Sequence, residues 1–346
     1  MGTKHTVRFE PLGIEMEADE DETVLNAAFR QGLMLMHGCK EGQCSACKSF
    51  LLDGDVDLDR YSTFALPDFE EAEGWTLLCR AHAYSDLEVE LINYDEEELR
   101  SGTPIRTVRT RVAAVESLTH DIRRLRLDVV DGEEPLAFKP GQYVDVPIPG
   151  QDTEHRSFSM ANTTSSADRL EFIIKLYPDG HFSGLLADEE IAVGDELSVV
   201  GPYGVFTLRA SSPRRLLFIG GGAGMAPILS LLRSMAESGN ERAATYYYGA
   251  RREADLFGLD ELERLGTELP GFSFVPALSE VQPDDGWEGA TGLITEVVER
   301  LEDDLADVDA YLCGPPPMVD AAIAMLDAQG VPESHIYFDK FTTTAQ

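Results

Sequence analysis

The stretch Cys39-Lys40-Glu41-Gly42-Gln43-Cys44-Ser45-Ala46-Cys47 carries three cysteines in the order C-x4-C-x2-C, and Cys79 follows after 31 further residues. This is the spacing of the four thiolate ligands of a plant-type [2Fe-2S] cluster. The small residues among the cysteines let the backbone wrap closely, so that its amides can donate hydrogen bonds to the sulfurs. The spacing therefore predicts that Cys39, Cys44, Cys47 and Cys79 hold such a cluster.

Other interpretations of the four cysteines are a set of buried core thiols, two disulfides, or a zinc site. Four-cysteine zinc sites commonly use two C-x2-C pairs, and this chain supplies only one, Cys44 with Cys47. The iron–sulfur cluster is the interpretation that the spacing favours.

Length, composition and net charge limit the number of domains, the partners and the cellular location of the protein. A chain of 346 residues is too long for one ordinary core, which predicts two or three domains. The net charge of −35 disfavours nucleic acid and anionic membranes as partners and favours a cationic protein surface. We also expect a cytoplasmic protein, because no apolar run is long enough to span a bilayer and the N-terminal residues lack a signal-like apolar segment.

Changes in sequence pattern divide the chain into four parts. Residues 1–95 suggest a small α+β unit with a strand at 6–9 and a helix at 23–31. The acidic and Ser/Gly/Pro-rich residues 96–105 suggest a linker. Apolar and polar residues alternate through 106–209, which predicts an antiparallel β-barrel with one short helix near 183–187.

Residues 210–346 alternate strand with helix, in five predicted strands and four helices. This order is typical of a doubly wound parallel sheet. Its first strand, at 216–219, runs into Gly220-Gly221-Gly222-Ala223-Gly224-Met225-Ala226-Pro227, which opens a helix. A glycine-rich turn between a strand and a helix lets a diphosphate approach backbone amides at the positive end of the helix. The same turn without a ligand would serve only packing.

A second stretch, Cys313-Gly314-Pro315-Pro316-Pro317-Met318, follows another predicted parallel strand. Ligands bind at the carboxyl edge of such sheets, which places Cys313 beside the glycine-rich turn. A small buried thiol that ends a strand is the other interpretation of this residue.

The barrel segment contains Arg156-Ser157-Phe158-Ser159, where a cation, an aromatic ring and hydroxyls follow one another. On an extended strand Arg156 and Phe158 lie on one side, suited to a phosphate and a flat heterocycle. Downstream, Gly180-His181-Phe182-Ser183 predicts a second anion-binding helix start, with Ser183 as the capping residue.

Together these motifs resemble the ferredoxin-NADP reductase superfamily, and their order resembles the reductase components of bacterial multicomponent oxygenases. The resemblance covers essentially the whole chain. It implies a ferredoxin-like β-grasp domain at 1–95, an FAD-binding barrel at 106–209 and an NAD-binding α/β domain at 210–346. The family motif R-x-Y-[ST] has phenylalanine here, at Phe158, so ring stacking is kept while the phenolic hydroxyl is lost.

The resemblance also implies residue roles. Arg156 would hold a flavin phosphate, Ser159 would hydrogen-bond near flavin N5, Phe182 and Ser183 would cradle the pyrophosphate, and Cys313 would approach nicotinamide C4 without acting as a nucleophile. Phe341 would cover the flavin ring until nicotinamide displaces it. The remaining cofactor-binding residues assigned in this way are Ser157, Lys175, His181, Gly221, Gly222, Gly224, Met225, Gly314 and Pro315.

The implied activity is electron transfer from NADH through FAD and the [2Fe-2S] cluster to an oxygenase component. The segment Asp53-Gly54-Asp55-Val56-Asp57-Leu58 and the residues that lead to Cys79 are similar to reductases of soluble di-iron monooxygenases that act on small hydrocarbons. The alternatives are a reductase of a Rieske-type ring-hydroxylating dioxygenase, a reductase for cytochrome-like acceptors, and a cluster-only regulatory or binding subunit. The resemblance also implies NADH as the favoured donor over NADPH. Arg251 and Arg252 are the cations that would read a 2′-phosphate, but Glu253 and Asp255 lie beside them.

Overall fold

A computed structural model of the chain describes residues 3–341, apart from 93, 95, 97–98, 100–102, 104, 152–153, 167 and 282–285. The described residues form two compact units. The first contains the residues up to Arg106 together with Pro202–Val205, and the second contains Thr107–Gly201 and the residues from Phe206 onward. The predicted linker, residues 96–105, lies largely outside the described residues.

The first unit contains a five-stranded β-grasp sheet in the order β2-β1-β7-β3-β5. Strands β1 and β7 run parallel, and their neighbours are antiparallel. Helix α1 follows Thr23, whose hydroxyl accepts a hydrogen bond from the Asn26 amide and caps the helix. The elements are β1 Lys4–Glu10, β2 Ile14–Asp19, α1 Val24–Arg30, β3 Lys48–Asp53, β4 Val56–Leu58, α2 Asp68–Glu73, β5 Trp75–Leu77, β6 Ala81–Ala83 and β7 Leu87–Glu90.

The second unit begins with a six-stranded antiparallel barrel in the order β11-β10-β13-β8-β9-β12. An isolated bridge between Met160 and Phe172 nearly closes it. The core is apolar, as the alternating pattern predicted, and includes Val144, Leu125 and Phe172. The elements are β8 Arg106–Ser117, β9 Ile122–Val129, β10 Tyr143–Pro147, β11 His155–Ser159, β12 Arg169–Lys175, α3 His181–Ala187 and β13 Glu196–Tyr203.

The rest of the second unit is a parallel sheet in the order β17-β16-β15-β14-β18-β19. The predicted doubly wound architecture is confirmed, but the sheet has a sixth strand, the two-residue β17, which is too short to leave a periodic signal. The elements are β14 Arg215–Gly221, α4 Met225–Ser238, β15 Ala244–Ala250, α5 Leu259–Glu268, β16 Phe272–Leu278, β17 Ala290–Thr291, α6 Ile294–Leu301, β18 Val308–Gly314, α7 Pro316–Ala328 and β19 Ile336–Lys340.

Strand β14 lies at the centre of this sheet, between β15 and β18. The chain proceeds from β14 to β15 on one side and returns later to β18 on the other. The carboxyl ends of β14 and β18 therefore flank the switch point, where open α/β sheets bind their ligands. In the register of the sheet Gly220 pairs with Cys313, so the two predicted motifs lie side by side at this point.

Candidate active site and iron–sulfur centre

The cysteine loop lies between α1 and β3 in the first unit and brings its sulfurs together with backbone donors. The amides of Glu41 and Gln43 point at the Cys39 sulfur, at 3.4 and 3.2 Å. The amide of Cys39 in turn donates to the Cys44 sulfur at 3.3 Å. Amides aimed at thiolate sulfur are the interactions that tune the potential of an iron–sulfur cluster.

The four cysteines form two pairs, Cys39 with Cys44 and Cys47 with Cys79, each within side-chain hydrogen-bonding contact. The hydrogen bond from Cys44, with the backbone donors, lowers the pKa of Cys39 to about 6, while the same contact and burial raise the pKa of Cys44. Two pairs match a binuclear cluster, in which each iron takes two cysteines and two sulfides. A tetrahedral zinc site would bring all four sulfurs to one point. The residues present therefore fit the cluster.

The backbone of this loop requires glycine at position 42. Gly42 has φ of 68°, and a Cβ there would lie 2.7 Å from the Tyr61 Cβ. Lys40 and Ser45 also adopt left-handed conformations, with φ of 57° and 59°. Such turns are what direct several successive amides toward one side of a loop.

Strand β11 presents the predicted flavin motif at an edge of the barrel. Arg156 and Phe158 are both partly exposed, and the Phe158 ring packs on Phe182 with centroids 4.9 Å apart. The Ser157 hydroxyl donates to Asp145 at 2.6 Å. The accessible guanidinium and ring on one side of β11 fit the phosphate and the heterocycle of a flavin.

The structure changes the interpretation of the short helix α3. Ser183 is not its cap, because the helix begins at His181 after Gly180, and the Ser183 hydroxyl instead bonds the backbone of Tyr177. Phe182 is buried at 1% exposure and its ring packs on Phe158, so its contact with a pyrophosphate remains a prediction.

The two remaining candidates from this region already have acidic partners. Lys175 forms an ion pair with Asp121, and the His181 ring lies 2.9 Å from a Glu154 carboxylate oxygen. Glu154 also lies 3.5 Å from Arg156, so a phosphate would compete with carboxylates at all three basic residues, which remain predictions as flavin ligands.

The glycine-rich stretch joins the end of β14 to α4. Packing requires glycine at two of these positions, since a Cβ would lie 2.7 Å from the Tyr246 hydroxyl at Gly220 and 2.2 Å from the Cys313 carbonyl oxygen at Gly224. At Gly221 a Cβ would lie 2.9 Å from the sulfur of the flexible Met318 side chain. Gly222 differs: its φ is 55° and no atom lies within 4 Å of a Cβ position there. The open side at Gly222, three residues before α4 begins at Met225, fits a diphosphate near a helix N-terminus.

Cys313 is the second-to-last residue of β18 and is completely buried, and burial raises the pKa of its thiol. The thiol is therefore protonated at neutral pH, which agrees with a positioning role and not with nucleophilic attack. Next to it, the carbonyl of Gly314 accepts a hydrogen bond from the Phe341 amide at 3.0 Å. Pro315 caps α7 and follows the same turn.

Ser159 and Asp339 connect the barrel to this turn. The Ser159 hydroxyl donates to the Asp339 carboxylate at 3.4 Å, and Asp339 pairs with Cys313 in the sheet register. Burial raises the pKa of Asp339 to about 6, against the opposing effect of the Ser159 hydrogen bond. Sequence reasoning did not assign Asp339, although it lies in the Asp339-Lys340-Phe341 stretch, because an acidic residue beside a terminal aromatic has no signal of its own.

Three domain families match the chain in the order of these sites. The 2Fe-2S iron-sulfur cluster binding domain matches residues 7–84. The oxidoreductase FAD-binding domain matches residues 109–208, and the oxidoreductase NAD-binding domain matches residues 218–323. The chain is therefore an oxidoreductase that combines a [2Fe-2S] cluster, FAD and a pyridine nucleotide.

Full-length relatives carry the same combination. The chain is 54% identical to the reductase component of propane 2-monooxygenase from Mycolicibacterium goodii, over 99% of both chains. It is 36% identical to the reductase component of phenol 2-monooxygenase from a Pseudomonas species, over 99% of this chain and 95% of the relative. A crystal structure of a cytochrome P450 reductase from Amycolatopsis superimposes with a TM-score of 0.87 at 31% identity, over 99% of this chain and 100% of that one. This chain belongs to the family of iron–sulfur flavoprotein reductases that includes the reductase components of propane and phenol monooxygenases.

Proposed function

We propose that this chain takes electrons from NADH and delivers them to the oxygenase component of a di-iron monooxygenase that oxidises a small hydrocarbon. The observation that carries the proposal is the 54% identity, over almost the full length, to relatives named as propane 2-monooxygenase reductase components. The lower identity, 36%, to a phenol 2-monooxygenase reductase supports the same class of partner with a different substrate.

When bound, FAD accepts two electrons from the nicotinamide as a hydride and releases them singly to the cluster, which takes one at a time. The chain supplies binding and alignment for this chemistry. Arg156 would hold a flavin phosphate, and the Phe158 ring would pack on the isoalloxazine. The Ser159 hydroxyl would serve the flavin N5 region, and the neutral Cys313 thiol would border the nicotinamide.

Asp339 completes this arrangement as a proton-holding group. Its pKa of about 6 lets the carboxyl change protonation near neutral pH, and its contact with Ser159 gives a path to the hydroxyl. We therefore assign Ser159 and Asp339 together to the proton that a bound flavin would release on reoxidation, because in reduction a hydride brings its hydrogen together with both electrons.

The surroundings of Arg251 and Arg252 support NADH as the donor. Both side chains are well exposed just after β15, where a coenzyme 2′-phosphate would lie, at 60% and 64% exposure. Arg252 lies 3.4 Å from Glu280, and Arg251 lies 3.8 Å from Asp255. These carboxylates repel a phosphate and already engage the cations, whereas the 2′-hydroxyl of NADH carries no charge.

Comparing kcat/KM for NADH and NADPH tests the donor assignment. We expect NADH to be preferred, and Glu280→Gln to raise kcat/KM for NADPH several-fold with little effect on NADH. Glu268→Gln, in an exposed ion pair with Arg264 on α5, is the matched control. A preference for NADPH in the unsubstituted protein would refute the assignment.

Reconstitution with oxygenase components tests the partner. The purified reductase is mixed with NADH and, in turn, a di-iron propane-type hydroxylase, a Rieske dioxygenase and a cytochrome P450. We expect substrate oxidation with the di-iron component at a rate at least tenfold above the other two. Turnover only with the Rieske or haem partner would refute the di-iron assignment. Bleaching of the flavin and cluster absorption by NADH, measured without any partner, reports electron transfer within the reductase separately.

A further inference from the structure

Helix α4 carries three polar side chains on one face, although most of its residues are buried and apolar. Ser230, Arg233 and Glu237 are spaced by three and four residues, so they lie along a single side of the helix. All three form hydrogen bonds to the flavin barrel, to the chain segment that follows the flavin-motif strand β11.

The first two contacts are at the buried end of this face. The Ser230 hydroxyl, fully buried, donates to the Asn162 carbonyl at 2.6 Å. Arg233 donates through one nitrogen to the Ala161 carbonyl at 2.8 Å and to Glu171 on β12 at 3.1 Å. Its other two nitrogens bind Glu261 of α5 in a bidentate contact at 2.8 and 2.9 Å.

The third contact is at the exposed end. One carboxylate oxygen of Glu237 accepts hydrogen bonds from the Thr163 hydroxyl at 2.7 Å and the Ser165 hydroxyl at 2.9 Å. The Asn162 side chain organises the same segment, since its amide donates to the Arg169 carbonyl at 2.7 Å and its oxygen accepts from the Glu171 amide at 2.9 Å.

The anchor of this network, Glu171, is a nearly buried carboxylate at 7% exposure. Burial favours its protonated form, but the guanidiniums of Arg233 and Arg124 outweigh that effect and lower its pKa. A buried carboxylate with several charge-assisted hydrogen bonds is held in a narrow range of positions, because each bond restricts distance and angle.

The two segments joined here each continue directly into a cofactor-binding motif. Ala161 follows Ser159 by two residues, and α4 begins at Met225, the residue after the glycine-rich turn. Apolar contacts also link these parts, since Ala161, Ile173 and Leu231 share one core cluster. Apolar packing is non-directional, whereas the hydrogen bonds fix the register of α4 along the barrel.

We propose that these contacts position the nicotinamide-binding turn against the flavin-binding strand for hydride transfer. We call them the α4 latch, which consists of Ser230, Arg233 and Glu237 with Ala161, Asn162, Thr163, Ser165 and Glu171. The inference rests on the proposed use of a reduced nicotinamide as donor. The latch residues are positioning residues that act through the two motifs. Hydride transfer is sensitive to such alignment, because a displacement of about 1 Å can cost on the order of a hundredfold in rate.

Two variants and a control test the latch in the flavin- and cluster-loaded protein. Glu237→Ala removes the acceptor of Thr163 and Ser165 from an exposed position, so folding is not at risk. Glu171→Gln removes the buried charge while keeping its size. Glu268→Ala breaks an exposed ion pair on the neighbouring helix α5 and leaves the latch intact.

Three measurements separate positioning from stability: the rate constant of flavin reduction by excess NADH in stopped flow, the dissociation constant for NAD+, and hydrogen exchange of the amides in residues 161–166. We expect both latch variants to reduce flavin about tenfold or more slowly, to bind NAD+ within about twofold of the unsubstituted protein, and to exchange faster in residues 161–166. The control variant retains unsubstituted values in all three.

Unchanged flavin reduction in both latch variants would overturn the inference, whatever their hydrogen exchange or melting temperature. Slower reduction that merely tracks a lost affinity for NAD+ would overturn it too, because the latch would then serve binding. Absence of flavin reduction by NADH in the unsubstituted protein would instead refute the proposed donor, and the inference with it.

Discussion

Replacing Asp339 with asparagine is expected to stabilise the flavin-free protein, and more strongly at pH 8 than at pH 5. Burial raises the pKa of this carboxyl from 3.8 to about 6 in the folded state. The folded protein therefore holds the proton more tightly than the unfolded chain, so folding stability falls as the pH rises from the lower pKa through the upper one. Asparagine cannot ionise and escapes this loss, while its side-chain oxygen can still accept the Ser159 hydrogen bond.

The expected magnitude follows from the size of the shift. A displacement of about two pKa units corresponds to roughly 3 kcal/mol, all of which is lost at pH 8, above both pKa values. At pH 5, between the two values, about half of that loss has developed, so Asp339→Asn should gain roughly half as much there. The difference between the two gains, on the order of 1 to 2 kcal/mol, is independent of any change in packing that the substitution causes at both pH values.

Urea denaturation of the flavin-free protein at pH 5 and pH 8, followed by circular dichroism, measures the two gains. Asp320→Asn is the control, since Asp320 forms an exposed ion pair with Lys340 on the same part of the molecule. Its effect should stay within about 1 kcal/mol at both pH values. An equal gain at the two pH values, or a larger one at pH 5, would refute a raised pKa for Asp339 in the folded protein.

Three further substitution and reactivity experiments check other features. Gly224→Ala should destabilise the protein by at least about 2 kcal/mol in thermal or urea unfolding, because its Cβ would lie 2.2 Å from a backbone oxygen. The control Gly266→Ala, on open surface in α5, should be neutral or slightly stabilising. Gly42→Ala should lower the iron and sulfide content per chain while leaving bound flavin unchanged, and full cluster occupancy would contradict the assigned loop geometry. Cys313 should resist iodoacetamide at pH 8 in the folded protein, as read by mass spectrometry, because its thiol is buried with a raised pKa; rapid alkylation would show that the site opens.

Much of the architecture follows from local patterns. The rhythm of strand and helix after residue 210 predicted the parallel sheet, and the strand predicted at 216–219 lies within β14. Errors occur where the local signal is weak: β17 is two residues long, and Ser183 resembles a cap although the backbone enters the helix earlier, at His181. Strand β2 was missed although Ile14, Met16 and Ala18 alternate with acidic residues.

Motif spacing by itself predicted the cluster ligands, the order of the three domains and the placement of the glycine-rich turn beside Cys313, because these depend on residues close in the chain or on rules of sheet topology. Only the tertiary structure paired Cys47 with Cys79, joined Asp339 to Ser159 and brought Arg233 to Glu171. Ser159 and Asp339 are 180 residues apart, and Arg233 and Glu171 are 62 apart. Contacts over such distances depend on how whole elements pack, and a buried charge becomes stable only when that packing places its partner beside it.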